Sequence, residues 1–243
     1  MDPNGKIALV TGAGRRVGRA LALALGDAGC RVAVHYGQSE QDANETAALI
    51  QSMGSEAITI KADFEDPRQV ESLAESVHDQ LGPIEILINN ASIFDKINLA
   101  DISVDNWDRH LAINLRAPFL LAQAMQAQLG DDSHGKVISL NDWRTARPTR
   151  FAYGVTKTAL SGLTRTLALS MAPNVQANEI SLGAILPPSD IPVDRSRDEI
   201  KIDLGPADRM GSLNEVADAM MMLLQNDFIT GETINVDGGR HIQ

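Results

Sequence analysis

The chain has one cysteine, Cys30, in 243 residues. An internal disulfide and any site built from several thiolates are therefore excluded. No apolar run approaches the roughly 18 residues that a membrane-spanning helix needs. Met1 to Lys6 lacks the basic and apolar regions of an export signal, so a cytoplasmic protein is expected. Positive charge is scarce: 21 Lys and Arg against 32 Asp and Glu give a formal charge of −11. A general nucleic-acid or anionic-membrane partner is disfavoured, because binding an array of phosphates needs a positive surface. A local basic pocket still suits a small anionic ligand. His78, His110, His134 and His241 fall in no metal-ligand spacing and read as surface or packing residues, so no metal is expected. Repeats, low-complexity tracts and interdomain linkers are missing too.

What is present is enough apolar material for a folded core. Hydrophobic residues make up 44% of the chain, and a chain of this size buries roughly 70–75% of the surface it exposes when unfolded. Short β-rich runs alternate with longer amphipathic segments. Lys6–Val10, Arg31–Tyr36, Ala57–Lys61, Ile84–Asn89, Lys136–Leu140, Val175–Ile180 and Thr233–Val236 read as strands. Four of the helical patterns between them stop at Gly29, Gly54, Gly82 and Gly130, where glycine suits the left-handed residue that closes a helix. Asp66-Pro67 reads as a helix start. Met220, Met221 and Met222, inside a helical pattern, are expected to face the core. Strict β-α alternation implies parallel strands, right-handed crossovers and helices on both faces. The expectation is one doubly wound α/β domain over residues 1–243, with a seven-stranded parallel sheet. Residues 184–210 fit least well: Pro187, Pro188, Pro192 and Pro206 among mixed charges read as a substrate lid or as a solvated loop.

The first strand runs into Thr11-Gly12-Ala13-Gly14-Arg15-Arg16-Val17-Gly18 and then a helix. Glycines there allow a tight turn and leave backbone N–H groups at a helix N-terminus for a pyrophosphate. One more residue precedes Gly18 than in the usual G-x-G-x-x-G, but the place between first strand and first helix is the telling one. An NAD site wants a carboxylate at the end of the second strand, whereas an NADP site puts positive charge there. Here the strand ends His35-Tyr36-Gly37-Gln38-Ser39, with no acid before Glu40, and Arg15 and Arg16 face that region. NADP(H) is the expected cofactor. His35 serves as a neutral hydrogen-bond donor or as packing.

Tyr153 and Lys157 are four residues apart, on one face of a helix. An ammonium beside a phenol lowers its pKa from about 10, making a proton donor usable near neutral pH. That spacing alone is a common chance pairing. It occurs here with Thr11-Gly12 and Gly18, Asn89-Asn90-Ala91-Ser92 after the fourth strand, Asn114 in a helix, and a terminal Asp237-Gly238-Gly239. With these features the chain resembles the short-chain dehydrogenase/reductase family from end to end. The resemblance implies a Rossmann-type fold and an oxidoreductase in which Tyr153 donates the proton. Lys157 would bind the nicotinamide ribose and tune Tyr153, and Asn114 would hold a water linking Lys157 to solvent. Asp63 would meet the adenine; Asn90, Ala91, Ser92 and Gly183 would line the cofactor channel. The segments Asn114–Leu129 and Phe151–Met171 resemble the family's dimer-forming surface, implying a homodimer or homotetramer.

Two departures stand out. Arg16 replaces a usual glycine, and the usual serine of the fifth strand is missing. Strand alignment puts Asp142 at its place, with Ser139 as the other candidate. Both departures resemble the pteridine reductase branch, including its dihydromonapterin and dihydrofolate reductases, as do His35, Tyr36 and Ser39 and the aromatic Phe94 after Ser92. Against that branch, Leu182-Gly183 replaces Pro-Gly, and the loop from Asp142 to Tyr153 is two residues short. An ionised Asp142 beside a developing alkoxide costs about 4 kcal/mol at 4 Å and an effective dielectric of 20. Either Asp142 is protonated or the substrate is not an ordinary ketone. A dihydropterin resolves this, because hydride goes to C6 and the proton is wanted at the nitrogen N5. Asp142 would then relay a proton with Tyr153. Phe94 would stack on the ring or pack in the core, Trp143 would border the pocket or pack, and Arg16 would reach the pterin edge or serve NADP alone. The rival functions are a carbonyl reductase of acyl thioesters or quinones, and a silent NADP-binding module.

Overall fold

The protein is described by a computed structural model covering residues 1–130, 133–187 and 204–242. Its strands are β1 (Ile7–Val10), β2 (Arg31–Tyr36), β3 (Ala57–Lys61), β4 (Ile86–Asn89), β5 (Gly135–Asp142), β6 (Val175–Leu182) and β7 (Thr233–Val236). They form one parallel sheet in the order β3-β2-β1-β4-β5-β6-β7. This is the doubly wound, Rossmann-type sheet that the β-α alternation implies. The order reverses between β1 and β4, so a crevice opens at their carboxyl ends.

Apolar alternation along β1 serves two cores at once. Ala8 and Val10 join one, Ile7 and Leu9 the other. The first core is closed by α1 (Arg16–Asp27), α2 (Glu40–Ser52) and α7 (Leu213–Gln225), through Leu21, Leu25, Ile50, Met220 and Leu223. The second is closed by α3 (Pro67–Gln80), α5 (Ala117–Gln128) and α6 (Phe151–Ser170), through Leu73, Val77, Leu121, Met125 and Ala168. A shorter helix, α4 (Val104–Leu111), leads through a π-helical segment, Ala112–Arg116, into α5. Helix starts follow the sequence: Asp66 accepts from the Arg68 N–H ahead of Pro67, and Ser212 and Glu215 cap each other's backbone.

Several expectations need correction. Gly29, Gly54 and Gly82 do take positive φ, but Gly130 does not. Leu129 turns extended as soon as α5 ends and packs on the second core, so no left-handed closure is needed. Met220 alone of the three methionines is fully buried, and Met222 is exposed, because successive helix residues point about 100° apart. β5 and β6 run on through their polar ends, paired from Gly135↔Val175 to Asp142↔Leu182. Asp142 is therefore the last rung of the ladder and does not lie beyond it. Of the loop 184–210, residues 188–203, with Pro188 and Pro192, lie outside the described residues. The part after it is anchored, with Ala207 N–H donating to the Gly238 carbonyl at 3.0 Å.

Thr11 closes the crevice floor. Its hydroxyl donates to the Ile88 carbonyl at 3.2 Å and accepts from the Asn90 and Ala91 N–H groups, each at 2.9 Å. One buried oxygen thus ties the ends of β1 and β4. Thr11→Val keeps the shape and strands those two N–H groups, so we expect a loss of about 2 kcal/mol. In a thermal melt the midpoint should fall by about 6 °C; an unchanged midpoint removes Thr11 from this role.

Candidate active site

The glycine turn is held from both sides. A Cβ at Gly18 would overlap the Gly12 carbonyl and the Asn90 amide, so α1 reaches the turn only because residue 18 has no side chain. Arg16, where a glycine is usual, takes φ +56°, a left-handed conformation that costs a branched-off side chain about 1 kcal/mol or more. α1 begins with no side-chain cap and no acid in its first turn. Arg15 and Arg16 are exposed there, and burial and the charge of Arg15 push the Arg16 guanidinium down. Neither is in an ion pair among the described residues. An uncapped helix start with two uncompensated guanidiniums fits an anionic dinucleotide phosphate. The Arg16 guanidinium also donates to the Pro187 carbonyl at 2.6 Å, which places it on the side of the 184–210 loop.

Other expected cofactor residues divide into braces and open positions. His35 is 3% exposed, stacked on Phe64 at 4.2 Å, with Nδ1 accepting from the Gly12 N–H and Nε2 donating to the Ala62 carbonyl. It braces the turn from behind and presents no face to a ribose, which is the packing reading of the sequence. Tyr36 is buried too, at the end of β2. Ser39 lies just before α2, beside Gly14, whose added Cβ would come 3.1 Å from the Ser39 hydroxyl. The Asn90 amide donates to the Thr11 and Gly12 carbonyls at 2.8 and 3.1 Å, so it clamps the turn. Val17 packs on the first core. Ala91 is half-buried, while Ser92 and Asp63 are exposed at the carboxyl ends of β4 and β3. Gly183 bonds the Val236 carbonyl through its N–H, and a Cβ there would come 2.5 Å from the Asp237 Cα.

Asp142, at the end of β5, meets Tyr153 from α6: the phenol donates to Oδ2 at 3.1 Å. The other oxygen, Oδ1, accepts from Arg147 at 2.7 Å and from the Arg144 N–H at 2.9 Å. Asp142 accepts every one of these bonds and donates none, which is the arrangement of a carboxylate rather than a carboxylic acid. Ser139 points elsewhere, 1% exposed and 3.5 Å from the Asn89 amide. Of the two candidates, then, the structure brings Asp142 to the phenol. Arg147 reaches it because Gly154 follows Tyr153. A Cβ there would overlap the Thr145 carbonyl, so the short loop lies directly on α6.

Phe94 stands edge-on to Tyr153 at 4.4 Å, and the Arg150 guanidinium lies 3.5 Å over its ring while donating to the Phe94 carbonyl. It is therefore half-buried at the phenol, with one ring face already covered. The Trp143 ring lies under the Arg240 guanidinium at 4.3 Å. Asn114 accepts from the Ile93 N–H at 2.9 Å and donates to the Ile93 carbonyl and Thr156 hydroxyl, each at 3.1 Å. It pins the loop carrying Ser92 and Phe94 to α6, and the π-helical segment that presents it is a feature often found at functional sites. Lys157 is buried, donates to the Leu140 carbonyl at 2.7 Å and lies 5.8 Å from the Tyr153 ring centre.

The electrostatics correct the sequence expectation. Burial, and then the charge of Asp142 and its hydrogen bond, push the Tyr153 phenol well above its usual range; Arg147 and Arg150 are the cations that oppose this. Burial pushes Lys157 itself down to about 8, against the charges of Asp142 and Glu179. Arg147, Arg150 and Glu179 escaped the sequence reading, and Asn141 was an alternative to Asp142 there. The arginines had no spacing signal, but Glu179, a charge inside an apolar strand, was a readable one.

Known proteins place this geometry. The family described as enoyl-(acyl carrier protein) reductase matches residues 12–241. The chain belongs to the short-chain dehydrogenase/reductases. It is 32% identical to versicolorin reductase of Emericella nidulans, over 97% of this chain and 96% of that protein. It is 31% identical to the 3-oxoacyl-[acyl-carrier-protein] reductase of Synechocystis, over 96% of each. The crystal structure of FolM alternative dihydrofolate reductase 1 from Brucella canis, complexed with NADP, superposes with a TM-score of 0.92 at 34% identity, covering 100% of this chain and 96% of that one. In this member of the family, Tyr153 and Asp142 meet at the carboxyl end of β5.

Two titrations follow for this short-chain dehydrogenase/reductase. In a Tyr36→Phe background the phenolate absorbance near 295 nm should stay absent above pH 10, and Asp142→Asn should bring it to lower pH by removing the charge that opposes ionisation. A phenol titrating at its ordinary value in both proteins would break the Asp142–Tyr153 contact. His35, pushed by burial to about 4, is neutral in the folded chain. Its unfolded value is near 6.5, so its contribution is intact above about pH 6.5 and lost as pH falls toward 4, a total of about 3 kcal/mol. Urea unfolding should therefore lose less stability across that window in His35→Asn than in the wild type.

Proposed function

We propose that the chain is an NADPH-dependent pteridine reductase that reduces a dihydropterin: dihydromonapterin, dihydrobiopterin or dihydrofolate. The observation that carries this reading is the ion-paired Asp142 carboxylate on the Tyr153 phenol at 3.1 Å. A ketone needs a donor at that place for its developing alkoxide, and an ionised carboxylate is an acceptor. A ring nitrogen that takes a proton as hydride arrives next door needs no such donor. The likeness to the Brucella FolM enzymes supports the reading, although 3-oxoacyl thioester reductases are about as similar in sequence. A carbonyl reductase is accordingly the second reading. An intact Tyr153 and Lys157 speak against a silent binding module.

The cofactor, NADP(H), supplies the hydride when bound. Arg15 and Arg16 at the start of α1 would hold its phosphates, with Gly12 and Val17 in the turn and Ser39 beside it. Asp63 would lie toward the adenine, and Ala91, Ser92 and Gly183 would line the channel. At the substrate, Tyr153 carries the proton that goes to N5 as C6 gains hydride. Asp142 orients that O–H and keeps the phenol protonated at rest. Arg147 holds Asp142, and with Arg150 it offsets the negative charge left when the phenol gives up its proton. Phe94 and Arg150 form one wall beside Tyr153, with Ser92 and Arg16 toward the pterin edge. Exposed Phe119 on α5 and Val155 and Leu169 on α6 support pairing with a second copy, as a dimer or tetramer in the cytoplasm.

The test is NADPH oxidation against dihydromonapterin, dihydrobiopterin, dihydrofolate and an acetoacetyl thioester. Turnover of a pterin is expected, with NADPH preferred over NADH by at least about tenfold in kcat/KM, or about 1.4 kcal/mol. Tyr153→Phe should cost on the order of 10²–10⁴ in rate, the usual worth of a positioned acid. Asp142→Ser should lower pterin reduction while leaving NADPH affinity nearly unchanged. Activity on the thioester alone would replace this reading with the second one.

A further inference from the structure

Glu179 lies in the middle of β6 and is 2% exposed. Among the described residues no lysine or arginine forms an ion pair with it. Its Oε1 accepts from the Ser161 hydroxyl at 2.9 Å and the Thr233 hydroxyl at 2.7 Å, and its Oε2 accepts from the Asn141 amide at 3.0 Å. Neutral donors from α6, β7 and β5 thus converge on one buried carboxylate. Such a charge is costly unless something nearby uses it.

The group that can use it is Lys157. That ammonium is also buried, and among the described residues it donates to a neutral carbonyl, that of Leu140. Asn141 bonds Glu179 and the backbone of Lys157, and it follows Leu140, the residue that receives the ammonium. Its amide donates to Glu179, to the Lys157 carbonyl at 3.1 Å and to Ser161 at 2.9 Å, while its oxygen accepts the Asp142 N–H at 2.9 Å. We propose that Glu179 is a positioning residue for the proton machinery: through Asn141 it fixes the rung that presents Asp142, and its buried carboxylate adds a second counter-charge, beside that of Asp142, for Lys157. This rests on Tyr153, Lys157 and Asp142 forming that machinery, and not on the substrate being a pterin.

The other charges around Lys157 are accounted for. Asp142 on β5 is the acid it senses most, but that acid is already paired with Arg147. Tyr153, on Lys157's own helix, is held protonated. From α4, packed on α6, Arg109 is turned to Glu65 and Asp95, and His110 Nδ1 to the Asn106 carbonyl. Asn114, from the π-helical segment, is neutral and spent on Ile93 and Thr156. Glu179 is left as the acid near Lys157 without a cation of its own.

The experiment is a cycle of Glu179→Gln, Lys157→Met and the double variant, using thermal melts of the chain without cofactor or substrate. At pH 6.5, where Lys157 is charged, Glu179→Gln should lower the midpoint by at least about 3 °C more in the Lys157 background than in the Lys157→Met background. At pH 9.5, above the value near 8 to which burial takes Lys157, the two losses should converge. Equal losses in both backgrounds and at both pH values would make Glu179 a plain structural acceptor and overturn the proposal. Should Glu179→Gln alone fail to fold, the double variant must fold, because it removes both buried charges; failure of both also overturns it. No substrate enters these melts, so a chain that turns over no pterin would leave this result untouched.

Discussion

A carboxylate can stand against a buried phenol only if some other group carries its charge, and in this protein Arg147 does so at 2.7 Å from Asp142. Much of the local architecture follows from that pair. The loop bearing Arg147 has to lie on α6, which requires the bare Gly154 next to Tyr153. Asp142 has to be rigid enough to offer one oxygen to the arginine and the other to the phenol, and its place as the last paired rung of β5 against Leu182 provides that rigidity. The polar residue before it, Asn141, can be buried there because Glu179, Ser161 and Lys157 use its amide. A serine hydroxyl at position 142 would need none of this support.

The same carboxyl edge of the sheet shows how a cofactor motif separates into two layers. Thr11, His35 and Asn90 spend their polar atoms on the backbone of the turn and its neighbours. They make the turn a fixed object. Arg15 and Arg16 are the outward layer, with charge that nothing in the described residues neutralises. Fixing the turn first matters because donors that need no reorganisation bind an anion with less entropy loss. Arg16 belongs to both layers: its strained backbone is part of the turn, and its guanidinium is bonded to Pro187 at 2.6 Å. It joins the dinucleotide turn to the start of the loop that follows β6.

The fold was legible because its signals are local and repeated. Alternation of buried strands with capped helices determines the sheet class, and Asp66-Pro67 or Gly82 mark boundaries by backbone chemistry that no distant contact overrides. Gly130 misled because Leu129 found a better partner in the core than a left-handed turn could offer. At the site, the sequence could pair Tyr153 with Lys157 because helical spacing puts them on one face, and it could align Asp142 by strand position. It could not tell a brace from an open position: His35 and Ser39 look alike as letters, and burial alone separates them. Nor could it find Arg147, whose meeting with Asp142 depends on a loop conformation set by a glycine on another element.

Charge distribution links these observations to catalysis. The chain carries a formal −11, yet Arg144, Arg147 and Arg150 crowd one short loop beside Tyr153, and Arg15 and Arg16 flank the glycine turn. An acidic body with a basic cleft repels polyanions in general while drawing a small anionic ligand to one mouth. Within that cleft the arginines are not equivalent. Arg147 is committed to Asp142 and Arg150 covers Phe94, so their charge serves the phenol; Arg15 and Arg16 stand apart at the glycine turn, outside any ion pair of the described residues. The phenol therefore sits between an acid that resists its ionisation and two cations that favour it. Such a balance holds the proton at rest and releases it only to an acceptor that becomes strongly basic as hydride arrives. On the proposed pterin reading, an imine nitrogen that takes the proton together with the hydride leaves no net negative charge against Asp142, whereas an alkoxide formed ahead of its proton places a second anion there.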